Sequence, residues 1–104
     1  MTSAEATFAS IAEQLLREPG VSEGTGFGSN PGLNVGGKIF AMLVRDELVV
    51  KLPAGRCAEL VAGGSARPFE RGQGRPMKEW ITVGAAGAPE WPALAREALA
   101  FVSR

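Results

Sequence analysis

Two runs decide the fold: Gly36–Val61, GGKIFAMLVRDELVVKLPAGRCAELV, and Ala66–Val83, ARPFERGQGRPMKEWITV. In the first, Lys38–Val44 and Leu48–Leu52 read as two strands of a hairpin around Arg45-Asp46-Glu47. With Asp46-Glu47 as a two-residue loop, Leu43 faces Val50 and Ala41 faces Leu52. Strict alternation then puts Ile39, Ala41, Leu43, Val50 and Leu52 on one apolar face, for helices to cover. The other face receives Lys38, Phe40, Met42, Val44, Val49 and Lys51. That mixture reads either as a contact surface or as a half-buried face whose lysines reach out to water.

Pro53 closes the second strand and opens a short helix, because its fixed φ suits a first helical turn. Cys57, Leu60 and Val61 form the apolar side of that helix, and Gly63-Gly64 end it. Arg71-Gly72-Gln73-Gly74-Arg75 then reads as a loop bearing two guanidiniums, with Arg67 and Lys78 beside it. Such a loop grips phosphate or carboxylate bidentately, or serves as a solvated connector. Met77–Val83 alternates again, with Ile81 and Val83 on one side and Trp80 opposite.

Working outward, Phe8, Ile11, Ala12, Leu15 and Leu16 follow the spacing of a buried helical stripe. Thr2 and Glu5 stand as a capping box, and Pro19-Gly20 stop the helix. At the far end Trp91, Leu94, Ala95, Ala98, Phe101 and Val102 mark a second long helix, with Pro89 or Pro92 in its first turn. Between Val21 and Gly37, Val21, Thr25 and Phe27 suit a short irregular strand and Ser29-Asn30-Pro31-Gly32 a turn. The glycines there do not make a phosphate loop. Gly32–Ile39 nearly spells a Walker A motif, but Ile39 stands where a hydroxyl is required and a strand follows. A dinucleotide fingerprint fails at Pro31, where the third glycine belongs.

These elements predict one α+β domain over residues 1–104: an antiparallel sheet with N- and C-terminal helices packed on one face, in the order α-β-β-β-α-β-α. An apolar share of 45 % supports an ordinary core without disulfides or metal, and the lone Cys57 reads as a small core residue. No apolar run reaches membrane-spanning length and no secretory leader is legible, so a cytoplasmic location is expected.

Function is legible mainly through exclusions. With no histidine, His-based triads and His-ligated zinc sites are ruled out, and with one cysteine so are thiolate clusters within a monomer. The acidic residues are scattered, so no catalytic residue, cofactor or metal is assigned and the chain is expected to be non-catalytic. Charge is unevenly spread around a net balance of zero. Residues 1–37 hold one basic residue against four acidic, whereas residues 38–79 hold eight against five. A surplus of three favours an acidic partner but is small for strong duplex binding.

Several of these residues also resemble a known family. Gly26-Phe27-Gly28, Gly37–Leu43, Leu48–Pro53 and Gly74–Trp80, in this succession, resemble the N-terminal domain of the TfoX/Sxy family, related to YjbR/MmcQ-like proteins. The resemblance covers roughly residues 5–103. It implies an α+β fold and a link to regulators of natural competence that act with the cyclic-AMP receptor protein, and it implies no catalytic residue. Competence regulators of that family carry a second, helical C-terminal domain. Ending at Arg104, this chain is expected to be a stand-alone domain.

Two expectations follow. The first, and favoured, is a regulatory or protein-interaction module that contacts a protein partner or its own copy. The second is a nucleic-acid-binding protein using the central basic cluster. The candidate contact residues are Lys38, Phe40, Lys51, Arg71, Arg75 and Lys78; no membrane contact is expected.

Overall fold

The computed structural model describes residues 3–25, 30–70 and 76–104. Thr2, Phe27, Ser29 and the Arg71–Arg75 loop lie outside them. The elements run α1 (Ala4–Leu15), β1 (Val21–Thr25), β2 (Pro31–Val35), β3 (Lys38–Val44), β4 (Glu47–Lys51), α2 (Ala54–Ala62), β5 (Arg67–Glu70), β6 (Pro76–Val83), a 3-10 segment (Ala85–Glu90) and α3 (Trp91–Val102). The six strands form one antiparallel sheet in the order β1-β2-β3-β4-β6-β5. The expected α+β class holds, with two strands more than the sequence reading gave.

Those two strands have distinct local causes. Pro31 and Gly32, expected in a turn, instead open β2, pairing with Thr25 and Gly24. A proline is tolerated as the first residue of a strand, where its missing N–H costs least. The fourth residue of the basic stretch, Glu70, ends β5, which pairs with β6.

Two hairpin turns set the register. Gly36-Gly37 have φ of +58° and +81°, and Arg45-Asp46 have φ of +51° and +63°. Positive φ at both central residues is what a type I′ turn demands, and its twist matches that of the flanking strands. The β3–β4 loop is therefore Arg45-Asp46, one residue earlier than expected, and Leu43 pairs with Leu48 while Ala41 pairs with Val50. The pairing slips by two residues, so the inward and outward sets along β4 are unchanged.

A bulge in β3 does change them. Leu33 pairs with Ala41 but Asn34 pairs with Ile39, which leaves Phe40 as the extra residue. Phe40 and Ala41 both enter the main core, and Ile39 joins Met42, Val44, Val49, Trp80 and Phe69 on the other side. Lys38 pairs with the core residue Val35 and so belongs to the helix-covered side, exposed at its end. The expected faces of Lys38, Ile39 and Phe40 are thus exchanged.

Helices cover one side only. Phe8, Ile11 and Leu15 of α1, Cys57 of α2, and Trp91, Leu94, Ala95 and Ala98 of α3 share a core with Leu33, Phe40, Leu43, Leu48, Val50, Leu52, Ile81 and Val83. Helix α3 lies over β3 and β4, α2 over β6 and β5, and α1 beside α3. Ser3 caps α1, its hydroxyl accepting the Ala6 N–H at 3.1 Å. Gly63 ends α2 and Gly64 follows at φ +81°. Arg56 of α2 reaches α3 through two bonds to Glu97, of 2.9 and 3.1 Å, and holds Glu59 at 2.6 Å.

Candidate binding site

The register between β4 and β6 places Lys51 directly opposite Trp80. Lys78, two residues before Trp80 in β6, is the diagonal neighbour of Lys51 on the helix-free side, at a Cα separation of roughly 7–8 Å. The Lys51 ammonium stands 6.0 Å from the centroid of the Trp80 ring, a cation–π contact. Trp80 itself is only 5 % exposed, packed with Met42 and Val49. It supports the lysines from below and has no open face for a stacking base. Among the described residues neither lysine has a carboxylate within ion-pair distance.

The same register brings a third cation close. β3 and β4 pair so that the start of β3 meets the end of β4, and β6 begins beside that end. Lys38, Lys51 and Lys78 therefore share one end of the sheet on three adjacent strands spaced about 4.8 Å apart. Lys51 and Lys78 project on the helix-free side and Lys38 on the other. Phe40 is fully buried beneath the helices and takes no part. The β3 bulge is the reason, and it removes Phe40 from the contact set. Arg71 and Arg75 lie outside the described residues. Arg67, expected to stand beside the loop, is held by Glu47 through bonds of 2.6 and 3.2 Å.

Sequence reading missed the concave part of the site. Pro68 pairs with Ile81 but Phe69 pairs with Met77, so the β5–β6 register shifts between Pro68 and Phe69. On its other edge β6 remains hydrogen bonded to the chain after β4, the Leu52 N–H donating to the Glu79 carbonyl at 2.9 Å. Between α2 and this stretch of β6 lies a groove of about 430 Å³ lined by Ala54, Cys57, Ala58 and Val61 of α2 together with Pro68, Lys78, Trp80 and Ile81. It continues past Ala54, Lys78 and Trp80 into a shallower hollow that adds Lys51 and Glu79. Among the described residues, Glu79 is the one carboxylate in the combined lining. The only sequence signal for this feature was Pro53, which starts a helix two residues after Lys51.

Cys57 lines the groove but is 4 % exposed. Burial pushes its thiol up, and its S–H donates to the Leu52 carbonyl at 3.5 Å, so it is held as a neutral thiol and not as a nucleophile. Among the described residues no group of three or more cysteines and carboxylates is arranged to hold a metal ion. No helix among them is long and apolar enough to cross a membrane.

One family model, described as YjbR, matches residues 16–100, a span running from the end of α1 into α3. No curated protein and no solved structure matches the chain significantly.

Proposed function

The chain belongs to the YjbR family, and from that premise we propose a non-catalytic regulatory module that binds nucleic acid through the lysine end of its sheet. The observation that carries this reading is the placing of Lys51 and Lys78 on the helix-free side of adjacent strands, with Lys38 on the opposite side at the same end of the sheet and no ion pair to any of the three among the described residues. The ranking of the two expectations is thereby reversed, for a physical reason. Protein interfaces centre on accessible aromatic and apolar anchors and are depleted in lysine. Here Phe40 is core, Met42 and Val49 are fully buried, and Trp80 is nearly so. The charged groups that the described residues bring to this end are ammonium groups, which suit phosphates and read no base sequence. Binding is accordingly weak, backbone-directed and salt-dependent. Transcription regulation is the setting that the TfoX/Sxy resemblance supplies for such a module, with competence as the particular case.

Fluorescence anisotropy with a labelled duplex at low and moderate salt tests it. Dissociation constants at low salt belong in the range of about 1–100 μM, weakening steeply with salt. Lys51→Ala with Lys78→Ala lowers the salt slope by roughly two, in line with two lost phosphate contacts. Absence of binding at about 100 μM and low salt removes the reading.

A protein partner remains the second reading, favoured by the half-buried Ile39, Val44 and Phe69 around the outer apolar cluster. Light scattering or a pull-down in which Val44→Glu abolishes association, while the lysine double variant does not, selects it.

A further inference from the structure

Strands β1 and β5 are the two edges of the sheet. β5 is blunted against further pairing, being short, carrying Pro68 and shifting register partway along. β1 has none of these protections: Val21–Thr25 runs in unbroken register and contains no proline. Its ladder with β2 also fixes which backbone groups face outward. The Gly36 N–H donates to the Gly20 carbonyl at 3.3 Å, so in this register Ser22–Asn34 and Gly24–Gly32 are the hydrogen-bonded pairs. Pro31, which has no N–H, falls accordingly in a pair that exchanges no bonds, with Thr25. The N–H groups of Glu23 and Thr25 and the carbonyls of Val21 and Glu23 therefore point away from β2. Among the described residues no hydrogen bond takes them up, whereas the Val21 N–H donates to the Glu18 carbonyl at 3.3 Å.

The side chains say what kind of strand fits this edge. Val21 packs against the main core, and alternation puts Glu23 on the same, helix-covered side. There Glu23 and Glu5 of α1 line one hollow with Phe8, Ala9 and Ala12. Neither carboxylate has an ion pair among the described residues. The β1 of a second copy is a poor fit, since antiparallel pairing over the full strand sets Glu23 opposite Glu23 and like charges there repel. We propose that the outer edge of β1 accepts an added antiparallel strand from an extended peptide with a basic residue opposite Glu23. That residue exchanges both backbone bonds with Glu23 and lays its side chain between Glu23 and Glu5, with a β-branched residue opposite Val21. The inference goes beyond the nucleic-acid reading and stands apart from it, since β1 lies two strands away from β4.

Amide NMR of the ¹⁵N-labelled protein with the peptide acetyl-Thr-Thr-Arg-Thr-Val-amide tests it. The Glu23 and Thr25 amides are expected to shift saturably and to exchange more slowly, with a dissociation constant on the order of 1 mM. Ser22 and Gly24, already bonded to β2, are expected to move less. Replacing the peptide's arginine by glutamate weakens binding about fivefold, and Glu23→Lys reverses that preference. N-methylation of the arginine backbone nitrogen removes the bond to the Glu23 carbonyl and abolishes the shifts, which simple ion pairing would not do. This last measurement uses the unaltered protein, so it decides even if Glu23→Lys fails to fold. No saturable shift at about 10 mM peptide, equal affinity for the arginine and glutamate peptides, or unchanged binding after N-methylation overturns the proposal. So do concentration-dependent shifts of the Glu23 and Thr25 amides without peptide, which would assign the edge to a second copy of the chain.

Discussion

Phe40 and Ala41, neighbours in β3, lie on the same side of the sheet, both with no exposed surface. The bulge opposite Leu33 and Asn34 is what turns them together. Phe40→Ala is therefore expected to cost about 3–5 kcal/mol, the range for a fully buried aromatic, and Ile39→Ala, half-buried on the other side, about half of that or less. Urea unfolding of both variants checks the order. If Ile39→Ala proves the more damaging, the assignment of faces is wrong.

The β3–β4 turn holds two side-chain-bearing residues in left-handed backbone geometry, Arg45 at φ +51° and Asp46 at +63°. Such geometry disfavours most L-residues and suits Asn-Gly. Arg45→Asn with Asp46→Gly is expected to raise stability by about 1 kcal/mol, read as a higher urea midpoint with unchanged slope. A lower midpoint would show that the Arg45 or Asp46 side chain makes a contact worth more than the relieved strain.

How far the sequence disclosed the molecule follows from these two places. Helix spacing read α1 and α3 correctly, because a stripe such as Phe8, Ile11 and Leu15 is redundant over several turns. Alternation read β4 and β6 correctly too, as with Val50 and Leu52 inside and Trp80 outside. It failed at Lys38–Phe40, since one extra residue reverses every side chain beyond it and carries no residue-type signature in KIF. Lys51 and Lys78 were legible as candidates. Their proximity was not, for it depends on β4 pairing with β6 across the whole α2–β5 excursion. Of the groove only the α2 wall was legible, through Pro53, since its other wall depends on how β5 and β6 come together.

Arg56 links α2 to α3 through Glu97, yet their side chains are 37 % and 40 % exposed. Hydrogen bonds from Glu97 first, then Glu59, raise the Arg56 pKa further above an already high value, so the cation persists at any practicable pH. Solvent screening limits what this clamp contributes. A double-mutant cycle with Arg56→Ala and Glu97→Ala is expected to give a coupling of about 1 kcal/mol or less, shrinking in high salt. A salt-insensitive coupling of several kcal/mol would mean that the pair is desolvated in solution.

Cys57 supplies a pH dependence of known sign. Its folded-state pKa is raised above the ordinary thiol value, chiefly by burial, so the folded protein holds the thiol proton where the unfolded chain has lost it. Its contribution is complete below the unfolded pKa and is lost as pH rises through the folded one. Stability should therefore fall as pH climbs above about 9, and the fall should be shallower in Cys57→Ala, whatever that variant loses in packing. Denaturant midpoints between neutral and alkaline pH measure both slopes. Identical slopes would show that the thiol titrates normally.

The strand order has a consequence for how the chain reaches this structure. Strands β1 to β4 follow one another as neighbours, and β5 lies next to β6, but β4 and β6 meet only after α2 and β5 have intervened. Leu48 with Val83, and Val50 with Ile81, thus stitch a locally formed meander to a late-arriving ribbon. Closing that long-range seam carries the largest loop-closure cost among the strand pairings, which makes it the natural bottleneck on the folding route. Lys51 and Lys78 stand on its two sides, so they become neighbours only when it closes.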